Sequence, residues 1–256
     1  MSSLRAVLKL CWLGATFALI AVEFAWLARR GLPAPAVRAR WCCSSARRLL
    51  RCFGVAVRLE GVPPGEGMVV SNHLSYLDIV LLAAIRPAVF VSKAEVRSWP
   101  VLGRLTRYAG TLYIRRDARH DVHRMAGDMK ALLAEGMVVV LFPEGTSSDG
   151  ASVLPFHSSL LAPAAEMGCP VTPAFIRYEL PAGAGVVGRD VCYWGEMTLL
   201  PHLFKLLSKR GLTATVRFGA CLTGSHDRKR LAAELHQQVR QLGGFEAPAK
   251  ASGKVH

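Results

Sequence analysis

Acidic residues are scarce in this chain: 18 Asp and Glu stand against 32 Lys and Arg in 256 residues, a formal charge of +14. That imbalance favours phosphate-rich or anionic partners, whether nucleic acid, anionic lipid or an acidic carrier protein. The spacings that announce several common chemistries are also missing. Seven cysteines, an odd number, include no CxxC pair. Cys42, Cys43 and Cys52 are flanked by arginines rather than histidines, so free thiols in a reducing compartment are expected and no metal site. There is no GxSxG elbow and no GxxxxGK[ST] loop, which removes the main supports for a serine hydrolase or a nucleoside triphosphatase. The GxGxxG match, Gly183-Ala184-Gly185-Val186-Val187-Gly188, runs into Arg189-Asp190-Val191-Cys192-Tyr193-Trp194. That continuation reads as a strand where a dinucleotide site needs a helix, so a glycine-rich hairpin is expected instead. Neither an aromatic-studded basic face nor a recognition-helix motif is present, and no nucleic-acid partner is expected.

Apolar residues, by contrast, are plentiful: 52 % of the chain is hydrophobic. Together with the basic excess, this points to a membrane surface. Residues 10–28 form a nearly continuous apolar stretch, close to the roughly 20 residues that cross a bilayer as a helix. Glu23 is the single charge within it, and Trp12 and Trp26 sit near its ends, where interfacial aromatics lie. The stretch is long for a signal peptide, and Arg29-Arg30 follows it in place of a small-residue cleavage site. Arg29, Arg30, Arg38, Arg40, Arg47, Arg48 and Arg51 follow, against Arg5 and Lys9 before, which puts the remainder on the cytoplasmic side. Pro33 and Pro35 end the first helix. A second, Arg-rich helix over 36–53 carries Trp41, Leu49, Leu50 and Phe53 as a basic amphipathic segment suited to the headgroup layer. The same pattern also fits a helix pair packed on a core with a solvated basic face. Residues 1–53 therefore read as a membrane anchor, spanning or half-inserted.

After Gly54 the pattern becomes short β-branched runs alternating with helical ones. Strands are expected at 55–59, 68–70, 89–92, 111–114, 137–142, 171–176, 191–194 and 214–218. Helices are expected at about 76–85, 119–135, 157–167, 199–208 and 226–242. This alternation predicts an α/β fold, a mixed sheet covered by helices, over residues 54–242. Residues 243–256 read as a disordered tail.

Chemistry concentrates at the ends of two predicted strands. Asn72-His73-Leu74-Ser75-Tyr76-Leu77-Asp78 follows the apolar strand at 68–70. On one continuous helix, five steps would rotate Asp78 about 140° from His73. Ser75-Tyr76-Leu77-Asp78 fits a capping box, however, which leaves His73 in the loop and lets Asp78 turn back to the imidazole. A histidine with an orienting carboxylate is the arrangement of a general base. Taken alone, the same residues fit a plain capping box beside an incidental histidine. A wholly apolar strand at 137–142 then delivers Phe142-Pro143-Glu144-Gly145-Thr146 to a strand end, with Gly145 permitting close backbone approach to a ligand. Gly110-Thr111-Leu112-Tyr113-Ile114-Arg115-Arg116-Asp117 closes another strand with two arginines suited to an anionic headgroup. Each of these alone also fits a simple turn or a solvated basic end.

In this order the segments resemble the glycerolipid acyltransferases, typified by 1-acylglycerol-3-phosphate acyltransferase. That family has an Asn-His-x-x-x-x-Asp block, a block ending in Arg, a Phe-Pro-Glu-Gly-Thr block and an apolar block with proline, here Pro173. The resemblance takes in Phe90-Val91-Ser92-Lys93-Ala94-Glu95 and residues 100–103, and covers roughly residues 65–180. It implies that His73 takes the proton from an acceptor hydroxyl as that hydroxyl attacks an acyl thioester, with Asp78 holding the imidazole. It further implies that Arg116 contacts the acceptor headgroup, while Glu144, Gly145 and Thr146 bind its glycerol part. No acyl-enzyme and no cofactor are implied; acyl-CoA or an acidic acyl-carrier protein is the co-substrate.

Two positions depart from the family pattern. Ile-Asp-Arg becomes Ile114-Arg115-Arg116, and the arginine after Gly-Thr becomes Ser147. Loss of that arginine removes a phosphate contact, which Arg115 offsets in part. The run through Gly150 and on to Val153-Leu154-Pro155-Phe156 resembles the branch that acylates lyso-ornithine lipid. Lysophosphatidic acid is therefore the first acceptor expected and lyso-ornithine lipid the second. A basic membrane-lipid-binding module without catalysis is the alternative of another class.

Overall fold

Alternate residues of the central strands feed two separate cores, and this period of two organises the molecule. In the computed structural model, residues 2–29, 31–99, 102–114, 119–224 and 227–245 are described. Strand β2 (Gly67–Ser71) sends Val69 into one core and Met68 and Val70 into the other. Strand β5 (Val138–Leu141) does the same with Val138 and Val140 against Val139 and Leu141. Both strands are buried throughout, as befits the centre of a parallel sheet.

The full sheet has seven strands: β1 (Ala56–Glu60), β7 (Thr213–Phe218), β6 (Val171–Glu179), β2, β5, β3 (Val89–Lys93) and β4 (Leu112–Ile114), in that spatial order. From β6 to β4 all neighbours are parallel; β7 runs antiparallel to β6 and carries β1 parallel to itself, so the sheet is mixed. One face is covered by α2 (Pro35–Phe53), α3 (Tyr76–Ile85) and α8 (Leu199–Ser208), through Leu50, Leu77, Leu81 and Leu206. The other is covered by α5 (Arg119–Ala134), α6 (Ala162–Met167) and α9 (Arg228–Leu242), through Met125, Met129, Ala164 and Leu235. A short α4 (Leu102–Ala109) follows a 3-10 turn at Ala94–Ser98.

The apolar N-terminal stretch belongs to a longer helix, α1 (Ser2–Ala28). Ala6, Leu13, Thr16, Ile20 and Phe24 lie on one buried stripe of it, and the helix packs against α2 and α8. Polar ties fix the same stripe. Lys9 Nζ donates to the carbonyl of Phe53 at 2.9 Å, and Glu23 pairs with Arg48 at 2.8 Å. Phe24 stacks on Tyr108 at 4.1 Å between ring centroids. Leu4, Leu8, Trp12, Leu19, Val22 and Trp26 stay exposed on the remaining faces.

The expected strand at 191–194 does not form, nor does the glycine-rich hairpin before it. A one-turn helix, α7 (Val187–Asp190), stands there, followed by irregular chain. The reason is electrostatic. Asp190 is buried and binds Lys205 at 2.6 Å, Lys209 at 2.7 Å and Arg189 at 3.1 Å, while it accepts from the N–H of Val186 at 3.1 Å. This cluster fastens the segment to α8, and Val191 and Cys192 are buried by loop packing rather than by a strand ladder. The helix expected at 157–167 is divided into a 3-10 turn (Ser158–Leu161) and α6, with Pro163 in the first turn of α6. All seven cysteines are free. Arg115, Arg116, residues 100 and 101, and the tail from 246 onward lie outside the described residues.

Candidate active site

Parallel strands leave their C-terminal ends on one edge of a sheet, and the crevice between two such ends is where ligands gather. Strands β2 and β5 are neighbours in register, with Val70 opposite Leu141. Three residues beyond each of these positions stand His73 and Glu144. The two functional segments therefore meet because of strand pairing, and a hydrogen bond of 3.3 Å from the His73 N–H to Glu144 Oε1 joins them. The carbonyl of His73 accepts from the N–H of Ser148 at 2.9 Å, so both backbone groups of the histidine are held by the loop after β5. Asn72 fixes the other side. Its amide accepts from the N–H of Ile176 at 2.7 Å and donates to the carbonyl of Ile176 at 3.0 Å, replacing a ladder step between β2 and β6.

Ser75 is the extended N-cap of α3, and Asp78, the third residue of the helix, reaches back to its backbone N–H as the acidic member of a capping box does. Asp78 is wholly buried. Its Oδ2 lies 2.8 Å from His73 Nδ1 and accepts from the N–H of Leu74 at 2.6 Å and of Ser75 at 2.9 Å. The turn-back anticipated from the capping box is thus present. Its Oδ1 accepts from the phenol of Tyr178 at 2.7 Å. A carboxylate facing Nδ1 calls for a proton there, which leaves the lone pair on Nε2. The imidazole stacks on Phe142, 4.2 Å between centroids with 19° between planes. Its side chain keeps 19 % of its surface exposed, while that of Asp78 keeps none. Apart from Asp78, the ring has no hydrogen-bond partner among the described residues, so no hydroxyl or thiol is poised on Nε2 as a nucleophile.

Glu144 is brought against the backbone of His73. It is only 3 % exposed, and its Oε2 has no hydrogen-bond partner among the described residues. Burial pushes its carboxyl up to about 8, with the push of the Asp78 charge and against the pull of the His73 and Leu154 backbone N–H groups. Gly145 adopts φ 70°, a left-handed conformation that a glycine takes without strain, and its N–H donates to Phe142 O at 3.0 Å to close the turn. Thr146 is exposed beside it. The Ser147 hydroxyl donates to the carbonyl of Tyr193, and the N–H of Tyr193 donates to Leu74 O at 2.8 Å. The loop after α7 is thereby stitched to both motif segments. Sequence reasoning missed Tyr178, Tyr193 and the tie made by Asn72; all three contacts depend on strand order and carry no local signature.

The arrangement places a candidate base, an imidazole backed by a carboxylate, with no nucleophile on its Nε2 among the described residues, which suits proton removal from a hydroxyl bound beside a reactive carbonyl. Comparison with known proteins gives the family. A family model described as Acyltransferase matches residues 55–177. The chain is 39 % identical over 209 residues to lyso-ornithine lipid O-acyltransferase of Pseudomonas aeruginosa, covering 79 % of this chain and 78 % of that protein. It is 32 % identical over 187 residues to 1-acyl-sn-glycerol-3-phosphate acyltransferase of Neisseria gonorrhoeae, covering 72 % of each. The fold matches the crystal structure of the 1-acyl-sn-glycerophosphate acyltransferase PlsC from Thermotoga maritima with a TM-score of 0.65 at 20 % identity, over 97 % of this chain and 99 % of that one. The motifs, the fold and relatives matched over more than two thirds of their length converge, and the chain belongs to the glycerolipid acyltransferase family as an O-acyltransferase.

Proposed function

We propose that this protein transfers a fatty acyl group from an acyl thioester to the free hydroxyl of a lysolipid, with His73 as general base. The observation that carries the reading is the buried Asp78 bound to Nδ1 of a half-open imidazole that lacks a neighbouring nucleophile. As the acceptor oxygen attacks the thioester carbonyl, its proton passes to Nε2. The tetrahedral centre then expels the thiolate, which takes that proton, so ester and thiol are the products. Asp78 stabilises the transient imidazolium, and positioning of the two substrates accounts for much of the remaining rate. Gly145 and Thr146 line the acceptor, and Arg116 with Arg115 meets its anionic group. Glu144 acts behind them, holding the backbone of His73.

Lyso-ornithine lipid is the acceptor we favour. Supporting it are the higher identity to the relative of that name and the uncharged Ser147, whose hydroxyl is committed to Tyr193. Lysophosphatidic acid is the second reading, supported by the Neisseria relative. The donor is acyl-CoA or acyl-carrier protein, the latter suited to the +14 charge. The site works at the cytoplasmic face of the membrane. There α1, the one described helix long and apolar enough to cross a bilayer, lies half-inserted along the domain, because its buried stripe runs almost its whole length.

Purified protein in detergent, given labelled acyl-CoA or acyl-carrier protein with each lysolipid in parallel, tests this directly. Acylation of lyso-ornithine lipid that disappears in His73→Ala is expected. Transfer only to lysophosphatidic acid would reverse the choice of acceptor, and activity surviving in His73→Ala would remove the base.

A further inference from the structure

Asp78 has two oxygens, and the catalytic pair accounts for one. Its Oδ2 takes the imidazole and two backbone N–H groups. Its Oδ1 is served by Tyr178, which reaches it from β6, a hundred residues along the chain, at 2.7 Å. Both side chains are buried, so water does not substitute readily for the phenol. Without that O–H, Oδ1 has no hydrogen-bond partner among the described residues.

The groups facing this carboxylate come from every side. Beside the imidazole there are Tyr178 from β6, Glu144 from the end of β5, Cys192 from the loop after α7, and Tyr76 from the first turn of α3 close to Tyr178. None of them is a cation. Burial pushes the Cys192 thiol up to about 12 and the Glu144 carboxyl up to about 8, so both are neutral at neutral pH. Burial, with the Asp78 charge adding, also raises the Tyr178 phenol well above its ordinary value and keeps it a donor. Hydrogen bonds therefore settle the carboxylate, and among the described residues Tyr178 is the one side-chain donor to it other than the histidine itself.

We infer that Tyr178 is a positioning residue of the reaction: it fixes the rotation of the Asp78 carboxylate through Oδ1 and so sets the orientation and proton affinity of His73. This rests on the assignment of His73 as base. With the phenol present, part of the carboxylate's charge is spent on Oδ1 and the second oxygen faces Nδ1 squarely. With it absent, Oδ2 keeps its two backbone N–H groups but Oδ1 loses its donor, so the carboxylate is held from one side only and the charge no longer drawn to the phenol bears on the imidazole.

The test is Tyr178→Phe in the full-length protein, which keeps the ring volume and removes only the O–H. A fall in kcat of about tenfold to a hundredfold is expected, with KM for the lysolipid changed by less than about threefold. The midpoint of the acid limb of the kcat/KM profile should move up by about half a pH unit. A merely structural tyrosine would leave that midpoint in place, so an unmoved limb overturns the inference, as does a rise in KM alone. Thermal unfolding of the variant, within a few degrees of the parent, certifies that the measured protein is folded. For a variant outside that range, the His73 Nδ1–H resonance of the folded fraction is read instead: an unshifted resonance overturns the inference and a shifted one supports it. His73→Ala is assayed in parallel. If it is inactive while Tyr178→Phe is normal, the tyrosine's role alone fails; if it is active, the base assignment itself fails.

Discussion

Two carboxyl groups touch His73, one at its ring and one at its backbone N–H, and their surroundings give them different duties. Asp78 accepts four hydrogen bonds, as an ionised carboxylate does, whereas Glu144 keeps one oxygen unpartnered in a buried site. Its value of about 8, against 4.5 in the open chain, means the folded protein holds that proton more tightly. The resulting stability is full below about pH 4.5, declines as pH rises, and is lost above about 8. Between those limits the slope reaches at most about 1.4 kcal/mol per pH unit. Glu144→Gln keeps an acceptor for the His73 N–H and removes the titration. Denaturant unfolding from pH 5 to 9 should show a flatter profile for the variant, and parallel profiles would show that Glu144 titrates normally. For the dyad itself, Asp78→Asn favours the wrong tautomer and should lower kcat by about three to four orders of magnitude, measured by transfer of labelled acyl groups.

At the level of elements, the site depends on β2 being clamped between β5 and β6. Asn72 carries the β6 side, and Asn72→Ala would leave the N–H and carbonyl of Ile176 unpaired in the interior. About 2–4 kcal/mol of stability should be lost, read by denaturant titration. The strand that leads to His73 and the helix that holds Asp78 were both legible in the sequence, since an apolar run, a cap residue and a fixed spacing are local properties. Glu144 was legible as a strand-end residue but not as a buried one, because the sequence carries no sign of what packs over it. Tyr178 was invisible for a related reason: its contact is set by β6 lying next to β2. Residues 191–194 misled because Val191 and Cys192 are as apolar as strand residues. Their burial comes from a loop pinned by Asp190 to Lys205 and Lys209, and ion pairing across 15 or more residues leaves no periodic trace.

For the molecule as a whole, the apolar faces of α1 and the excess of cations act together. The exposed Leu8, Trp12 and Leu19 face away from the core, so Leu8→Glu with Leu19→Glu should leave the fold intact and reduce co-sedimentation with vesicles. Binding to vesicles rich in anionic lipid should also weaken between low and high salt, as expected for a surface held by a +14 chain. Sedimentation that is unchanged in both cases would place the membrane contact elsewhere on the domain.

The pairing of Val70 with Leu141 puts equal lengths of chain, three residues, between the last shared rung and each functional residue. The count of residues there is as much a part of the machinery as their identity. One residue inserted after either strand would leave the strand pairing and the identity of every motif residue unchanged. The histidine and the glutamate would nonetheless fall out of step, and a protein with all its motifs intact to the eye would have no site.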